Sequence, residues 1–211
     1  MPTPLLELFT EPFLDRLCKW IATHHTVYPR LPPQGIYFES LVDRAFLHAG
    51  WDRNQVVLEN PNSPKADIRV GDIRLSLKTE TGRITRSKLI SITKLCTTET
   101  GEWESQALID HALSHLSRYE GILMLRSIWR DDHFDYQLVD VPISLLQRIR
   151  YCEAVPVGRR KGRKSLAFDV TDSGQVLFHV HFDGADGKCQ VRNLSTDHCL
   201  MLRQWQQPFT E

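Results

Sequence analysis

The sequence predicts an α/β (α+β) fold, a mixed β-sheet flanked by helices with a β-rich carboxy-terminal part. Three observations predict it. Apolar residues recur at helical spacing through positions 11–48, then alternate at strand spacing from position 56 onward. One amphipathic segment, 104–119, interrupts the strands. It leads into Gly121–Trp129, a nearly uninterrupted apolar run of the kind a central strand covered on both faces requires. From position 151 the chain turns to short β-like segments divided by turn sequences, with no repeated strand–helix–strand unit.

Each element follows from local pattern. Phe13, Leu14, Leu17, Trp20 and Ile21 form the apolar stripe of a first helix over 11–24. The prolines and glycine of YPRLPPQG prevent its continuation. A second helix, Ile36–His48, is closed by Gly50 and leaves Glu39 and Asp43 together outside its apolar residues. Strands are predicted at Val56–Leu58, 66–70 and 73–79, the last two joined by the two-residue turn Gly71-Asp72. Further strands follow at 88–95 and 134–141, and Pro142 opens a short helix. A glycine-punctuated basic loop at 158–164 leads into segments 165–170, 175–182 and 188–194, and the chain ends in the apolar-aromatic stretch HCLMLRQWQQP. His24-His25 is read as a favourable charge pair for the first helix's C-terminal dipole.

Composition narrows the function classes. The 211 residues suffice for one well-buried domain, and 41% hydrophobic with 25% charged residues is ordinary for a globular chain. The formal net charge is zero, so any attraction to nucleic acid has to be concentrated locally. No apolar run approaches the ~20 residues needed to cross a bilayer, and the acidic amino terminus does not read as a secretory signal. Five scattered cysteines without a close CxxC pair read as reduced thiols, so a cytoplasmic, intracellular protein with no membrane partner and no organic cofactor is expected.

The chemistry concentrates in SPKADIRVGDIRLSLKTETG. Along the strand at 73–80, alternation places Arg74, Ser76, Lys78 and Glu80 on one face. A hairpin across Gly71-Asp72 brings Asp67 to the same polar end, and the second helix supplies Glu39. Two carboxylates plus a strand carbonyl such as that of Leu77 make half of an oxygen shell suited to Mg²⁺. A lysine beside them can orient an attacking water and offset charge on a phosphate undergoing hydrolysis. Such an Asp…Ser-x-Lys pattern by itself is common on solvated strand faces; the surrounding element order gives it weight.

That order resembles the PD-(D/E)xK nuclease superfamily, particularly type II restriction endonucleases. The matching residues are Gln34-Gly35 with Glu39 opening a helix, Ala66-Asp67 on one strand and Ser76-Leu77-Lys78 on the next, followed by the 104–119 helix and the Gly121–Trp129 strand. The resemblance covers roughly positions 33–149. It implies a restriction-endonuclease-like sheet and a Mg²⁺-dependent, sequence-specific double-stranded DNA endonuclease. In that reading Asp67, Ser76, Lys78 and Glu39 are catalytic, and Asp67, Glu39 and the Leu77 carbonyl hold the metal. Two positions depart from the pattern: Ala66 stands where the family has proline, and Ser76 where it has an acid. Glu39 or Glu80 is then expected to replace the missing carboxylate.

A single nuclease domain is expected over 1–211, with 1–150 the helical start and catalytic core and 151–211 the DNA-recognition part. Arg159, Arg160, Lys161, Arg163 and Lys164 are expected to contact phosphates, and Gln190, Arg192, Asn193 and Arg203 to reach bases. His179 and His181 share a strand face ahead of Cys189, His198 and Cys199, but they lack the tight ligand pairs of structural zinc sites. Ordinary surface or core histidines that could touch DNA are the better account. Cutting both strands of a palindrome calls for a homodimer, through the aromatic tail or the first helix. The competing functions are a junction resolvase or mismatch-nicking nuclease, and a non-catalytic DNA-binding module.

Overall fold

In chain order, the computed structural model runs through α1 (Glu11–Val27), α2 (Ile36–His48), β1 (Val56–Leu58), β2 (Ile68–Val70), β3 (Ile73–Glu80), β4 (Leu89–Thr97) and α3 (Ser105–Leu116). It continues through β5 (Gly121–Trp129), β6 (His133–Val141), α4 (Ile143–Leu146), β7 (Val155–Arg160), β8 (Arg163–Asp172), β9 (Gln175–Asp183), β10 (Lys188–Ser195) and β11 (Leu200–Pro208). Residues 5–59, 66–98, 103–160 and 163–209 are described. The mixed α/β fold expected from the sequence is the fold observed.

The strands form a six-stranded sheet, in the order β1-β2-β3-β5-β6-β11, and a five-stranded sheet, β4-β10-β9-β8-β7. Two compact units divide the chain accordingly, and neither is continuous in sequence. The first takes the chain up to Thr85, Arg118–Val141 and the stretch from Leu200; the second takes Arg86–Ser117 and Pro142–Cys199.

The first unit is built on its apolar periodicities. Thr10 caps α1 by accepting the Phe13 N–H, and Phe13, Leu14, Leu17 and Ile21 are buried along its stripe. Phe38, Val42, Ala45 and Phe46 do the same for α2, and both helices share one core with Leu75, Leu77, Leu123 and Leu125 of the sheet. Phe13 and Phe46 stack with ring centroids 4.1 Å apart. The Gly71-Asp72 turn forms as predicted, with Gly71 at a φ of 57° that suits glycine best. It sets the β2–β3 register at Ile68↔Leu75 and Val70↔Ile73. On its other side β3 pairs in parallel with β5, from Leu75↔Gly121 to Glu80↔Arg126. A parallel pair needs a crossover of a dozen or more residues, and the intervening chain contains β4 and α3 of the second unit.

Three expectations are corrected. The basic run is strand at its described residues: Arg159↔Lys164 and Arg160↔Arg163 continue the β7–β8 ladder, and Lys161 and Gly162 lie outside the described residues. The apolar tail, to which the sequence assigns no element, is β11, paired antiparallel with β6, and Trp205 stacks on Tyr136 with centroids 5.1 Å apart. His25 is not a cationic dipole partner. It is buried, its Nε2 meets the Tyr136 hydroxyl at 2.9 Å, and burial lowers its pKa. Asp43 does not stand with Glu39, because Arg53 clamps it through two bonds of 2.8 and 2.6 Å.

The second unit is a five-stranded antiparallel layer with α3 and α4. Phe168, Phe178, Val180, Phe182 and Val191 are buried from its strands, and Leu108, Ile109, Ala112 and Leu116 from α3. No helix among the described residues is long and apolar enough to cross a membrane.

Candidate active site

The β2–β3 hairpin and α2 assemble the candidate site within the first unit. Asp67 stands just before β2, where its N–H donates to the Leu75 carbonyl at 3.0 Å and continues the hairpin ladder by one step. Beyond that step β2 diverges, and the edge of β3 faces the Asp67 carboxylate instead of a backbone. The Leu77 N–H donates to Asp67 Oδ2 at 2.6 Å, the Ser76 hydroxyl at 3.0 Å and the Lys78 ammonium at 3.5 Å. Among the described residues all three of these donors fall on Oδ2, so the carboxylate is fixed in rotation while Oδ1 receives none of them.

Residues of a strand turn their N–H and C=O to the same edge. The Leu77 carbonyl, like its N–H, therefore opens on the Asp67 side. Glu39, on α2, completes the group. Burial raises its pKa most, the neighbouring Asp67 carboxylate raises it further, and the Lys78 charge lowers it. Two carboxylates close enough to repel, with a cation beside them, make a setting in which a divalent cation would be favoured.

These donors fit Mg²⁺. It takes oxygen ligands, keeps several waters, and is commonly held by only one or two carboxylates. Among the described residues no cluster of three or more Asp, Glu, His or Cys is disposed to hold a metal.

The structure brings Glu39, Asp67, Ser76, Leu77 and Lys78 together. It does not bring Glu80 to them as a free carboxylate. Although Glu80 shares the β3 face of Ser76 and Lys78, the Arg126 Nε donates to it at 2.7 Å, and the Arg126 side chain has no exposed surface. The same guanidinium donates to Gln137 Oε1 on β6. Ser76, 2% exposed, is too enclosed to be a freely hydrated ligand and serves as a hydrogen-bond donor to Asp67. Sequence reading missed Arg126 and Gln137. The signal was one charge inside the apolar run GILMLRSIW, since an arginine on a doubly covered strand has to be paired.

The expected DNA contacts are distributed differently. Lys164, Gln190, Arg192 and Asn193 belong to the second unit, with Lys164 and Arg192 exposed. Asn193 adopts a φ of 55° at an irregularity in the β10–β4 register. Arg203 lies in the first unit and is engaged by Glu11 and Asp15 of α1.

Fold and residue set first define a class: a mixed-sheet nuclease of the restriction-endonuclease type, with an Asp…x-Lys hairpin and a helix-borne glutamate. The comparisons narrow this. A family model described as SmaI, type II site-specific deoxyribonuclease, matches residues 2–207. The chain belongs to this family of type II site-specific deoxyribonucleases. It is 26% identical over 203 residues to the type II restriction enzyme SmaI of Serratia marcescens, an alignment covering 94% of this chain and 81% of that relative. A solved structure described as a restriction endonuclease in complex with substrate DNA superposes with a TM-score of 0.40 at 17% identity, over 69% of this chain and 68% of that one.

Proposed function

We propose that this chain is a Mg²⁺-dependent endonuclease that hydrolyses phosphodiester bonds of double-stranded DNA at a specific sequence. The observation that carries the reading is the Asp67 carboxylate, fixed by three donors on one oxygen with Glu39 beside it. Asp67, Glu39 and the Leu77 carbonyl are the groups that would hold the ion. When bound, it supplies positive charge to the scissile phosphate and makes water a better nucleophile near neutral pH.

The chain's own residues do the rest. Ser76 and the Leu77 N–H fix the Asp67 carboxylate. Lys78 stands where its ammonium can orient the attacking water and offset charge growing on the phosphate oxygens. Arg159, Arg160, Lys161, Arg163 and Lys164 would hold the DNA backbone, and Gln190, Arg192 and Asn193 would face bases. Arg203 is committed to α1. The whole chain then acts as a single nuclease, in which the first unit cuts and the second recognises. One constellation cuts one strand, so duplex cleavage calls for a homodimer whose two-fold axis matches that of a palindrome.

Incubating the protein with phage DNA and Mg²⁺ and sequencing the ends tests the reading. Uniform ends at one short sequence are expected. Cleavage confined to branched or mismatched DNA, or binding without cleavage, would overturn it.

A further inference from the structure

The histidines that spacing offered as a poor zinc site have a different setting in the second sheet. Along β8, β9 and β10 alternate side chains are apolar and buried. The intervening ones line up in two ranks on the opposite face. Asp169, His179 and Arg192 are register neighbours, as are Ala167, His181 and Gln190. Cross-strand neighbours of this kind stand about 5 Å apart at Cβ. The face is neither apolar nor randomly charged, because its side chains are arranged by hydrogen bonds.

His179 Nδ1 meets Asp169 Oδ1 at 2.6 Å. A carboxylate only accepts, so Nδ1 carries the proton, and in the neutral tautomer that this bond selects Nε2 is the acceptor. Arg192 donates from Nε at 3.1 Å and from Nη2 at 2.5 Å to the same Gln190 oxygen. That engages one edge of the guanidinium. The end-on fork, from Nη1 and the outer hydrogen of Nη2, projects from an exposed residue. In the second rank the Nδ1 of His181 is buried without a hydrogen-bond partner among the described residues. One rank thus presents two donors from Arg192 and, one strand away, an acceptor from His179.

The major-groove edge of a G·C pair is the complement of that pattern. Guanine offers two adjacent acceptors, N7 and O6, and cytosine offers the N4 amino donor. An A·T pair places the adenine amino group where the second donor of the fork would point. The β7–β8 hairpin of the same sheet carries the basic run that would hold flanking phosphates.

We propose that this open face is the enzyme's base-reading surface, and that the Asp169–His179–Arg192 rank reads one G·C pair. Arg192 donates to guanine and the His179 Nε2 accepts from cytosine. Asp169 is a positioning residue, since it holds His179 without touching the base, and Gln190 holds Arg192 from its place on the same face. The inference rests on the endonuclease reading only in taking DNA as the substrate.

The test separates reading from cutting. Duplexes with a randomised core are selected for binding in Ca²⁺, and cleavage of the same pool in Mg²⁺ is sequenced independently. For Arg192→Lys, which keeps the charge and loses the fork, the preference for guanine at one position should fall by roughly 5- to 150-fold, the range of one bidentate contact. Its salt dependence should stay at the wild-type slope. Asp169→Asn, which frees the ring tautomer, should relax the paired cytosine. Replacing that guanine with 7-deazaguanine should weaken wild-type binding and leave Arg192→Ala indifferent. Unchanged selections with Arg192→Lys and His179→Ala would overturn the proposal, even with full cleavage. A wild type that selects this G·C pair through Arg192 and never cuts would instead support the surface and overturn the nuclease reading.

Discussion

The two units handle polar side chains in opposite ways. In the first, several are bonded to one another in networks that run from fully buried Arg126 to half-buried Asp67. Arg126 has no exposed surface and holds both Glu80 and Gln137, Arg53 clamps Asp43, and the Asp67 carboxylate takes three donors on one oxygen. In the second they stand on the outer side of a sheet whose inner side is apolar, hydrogen-bonded to each other yet open to a partner. Under the proposed function, the difference is one of chemical demand. A group that acts on a scissile bond has to be held within a fraction of an ångström, and buried networks do that because an unmade bond there is costly. A group that reads bases exchanges water for DNA with every binding event, so it needs orientation without burial. Substitutions in the two units should therefore fail in different ways.

The largest effect is expected at the site itself. Asp67→Ala and Lys78→Ala should each lower the cleavage rate at least ~10²-fold, the scale of one preorganised electrostatic contribution. Specific binding in Ca²⁺ should stay near wild type. Wild-type turnover in either variant would remove the first unit from the chemistry.

Arg126→Met tests the buried network directly. It leaves Glu80, with a side chain only 11% exposed, without its guanidinium, and should reduce unfolding free energy by about 3–5 kcal/mol. Urea denaturation measures this. Undiminished stability would mean that the ion pair is dispensable and that the contrast between the units is superficial.

Asp140 probes an exception inside the first unit. It is 7% exposed, its Oδ1 has no hydrogen-bond partner among the described residues, and burial pushes its pKa from the usual 3.8 to about 6. A raised acid contributes stability that is fully present below the unfolded pKa and lost as pH rises through the folded one. Asp140→Asn should therefore stabilise the protein above pH 6, by at most about 3 kcal/mol at 1.36 kcal/mol per pKa unit, with no gain near pH 4. Thermal melts at the two pH values decide it. Destabilisation at pH 8 would show that the carboxylate has a partner after all and that the first unit's rule is complete.

The smallest expected effects, taken residue by residue, lie in the basic strands of the second unit. Changing Arg159, Arg160, Lys161, Arg163 and Lys164 to Gln should weaken cognate and random DNA about equally. Each lost phosphate contact should flatten the log–log salt dependence by roughly 0.9. An altered sequence preference with an unchanged slope would move base reading into these strands.

Much of this was legible locally. Period-two alternation put Ser76 and Lys78 on one face of β3, and the two-residue turn at Gly71-Asp72 fixed the register that carries Asp67 to them. Helical periodicity marked the buried faces of α1 and α2, and the unbroken apolar run marked β5 as covered on both sides. These features depend on neighbours a few positions away, and a sequence states them directly. What tertiary structure decided depended on distant partners. Glu39 joins Asp67 because Phe38 and Val42 seat α2 in the same core as Leu75 and Leu77. Glu80 is withdrawn because parallel pairing brings Arg126, 46 positions away, opposite it. Arg159, Arg160, Arg163 and Lys164 became strand and the aromatic tail became β11 because ladders form wherever a partner edge is available. His179 gained its orientation from Asp169 on the adjoining strand. Local spacing sets which face a side chain occupies; only long-range packing sets what that face meets.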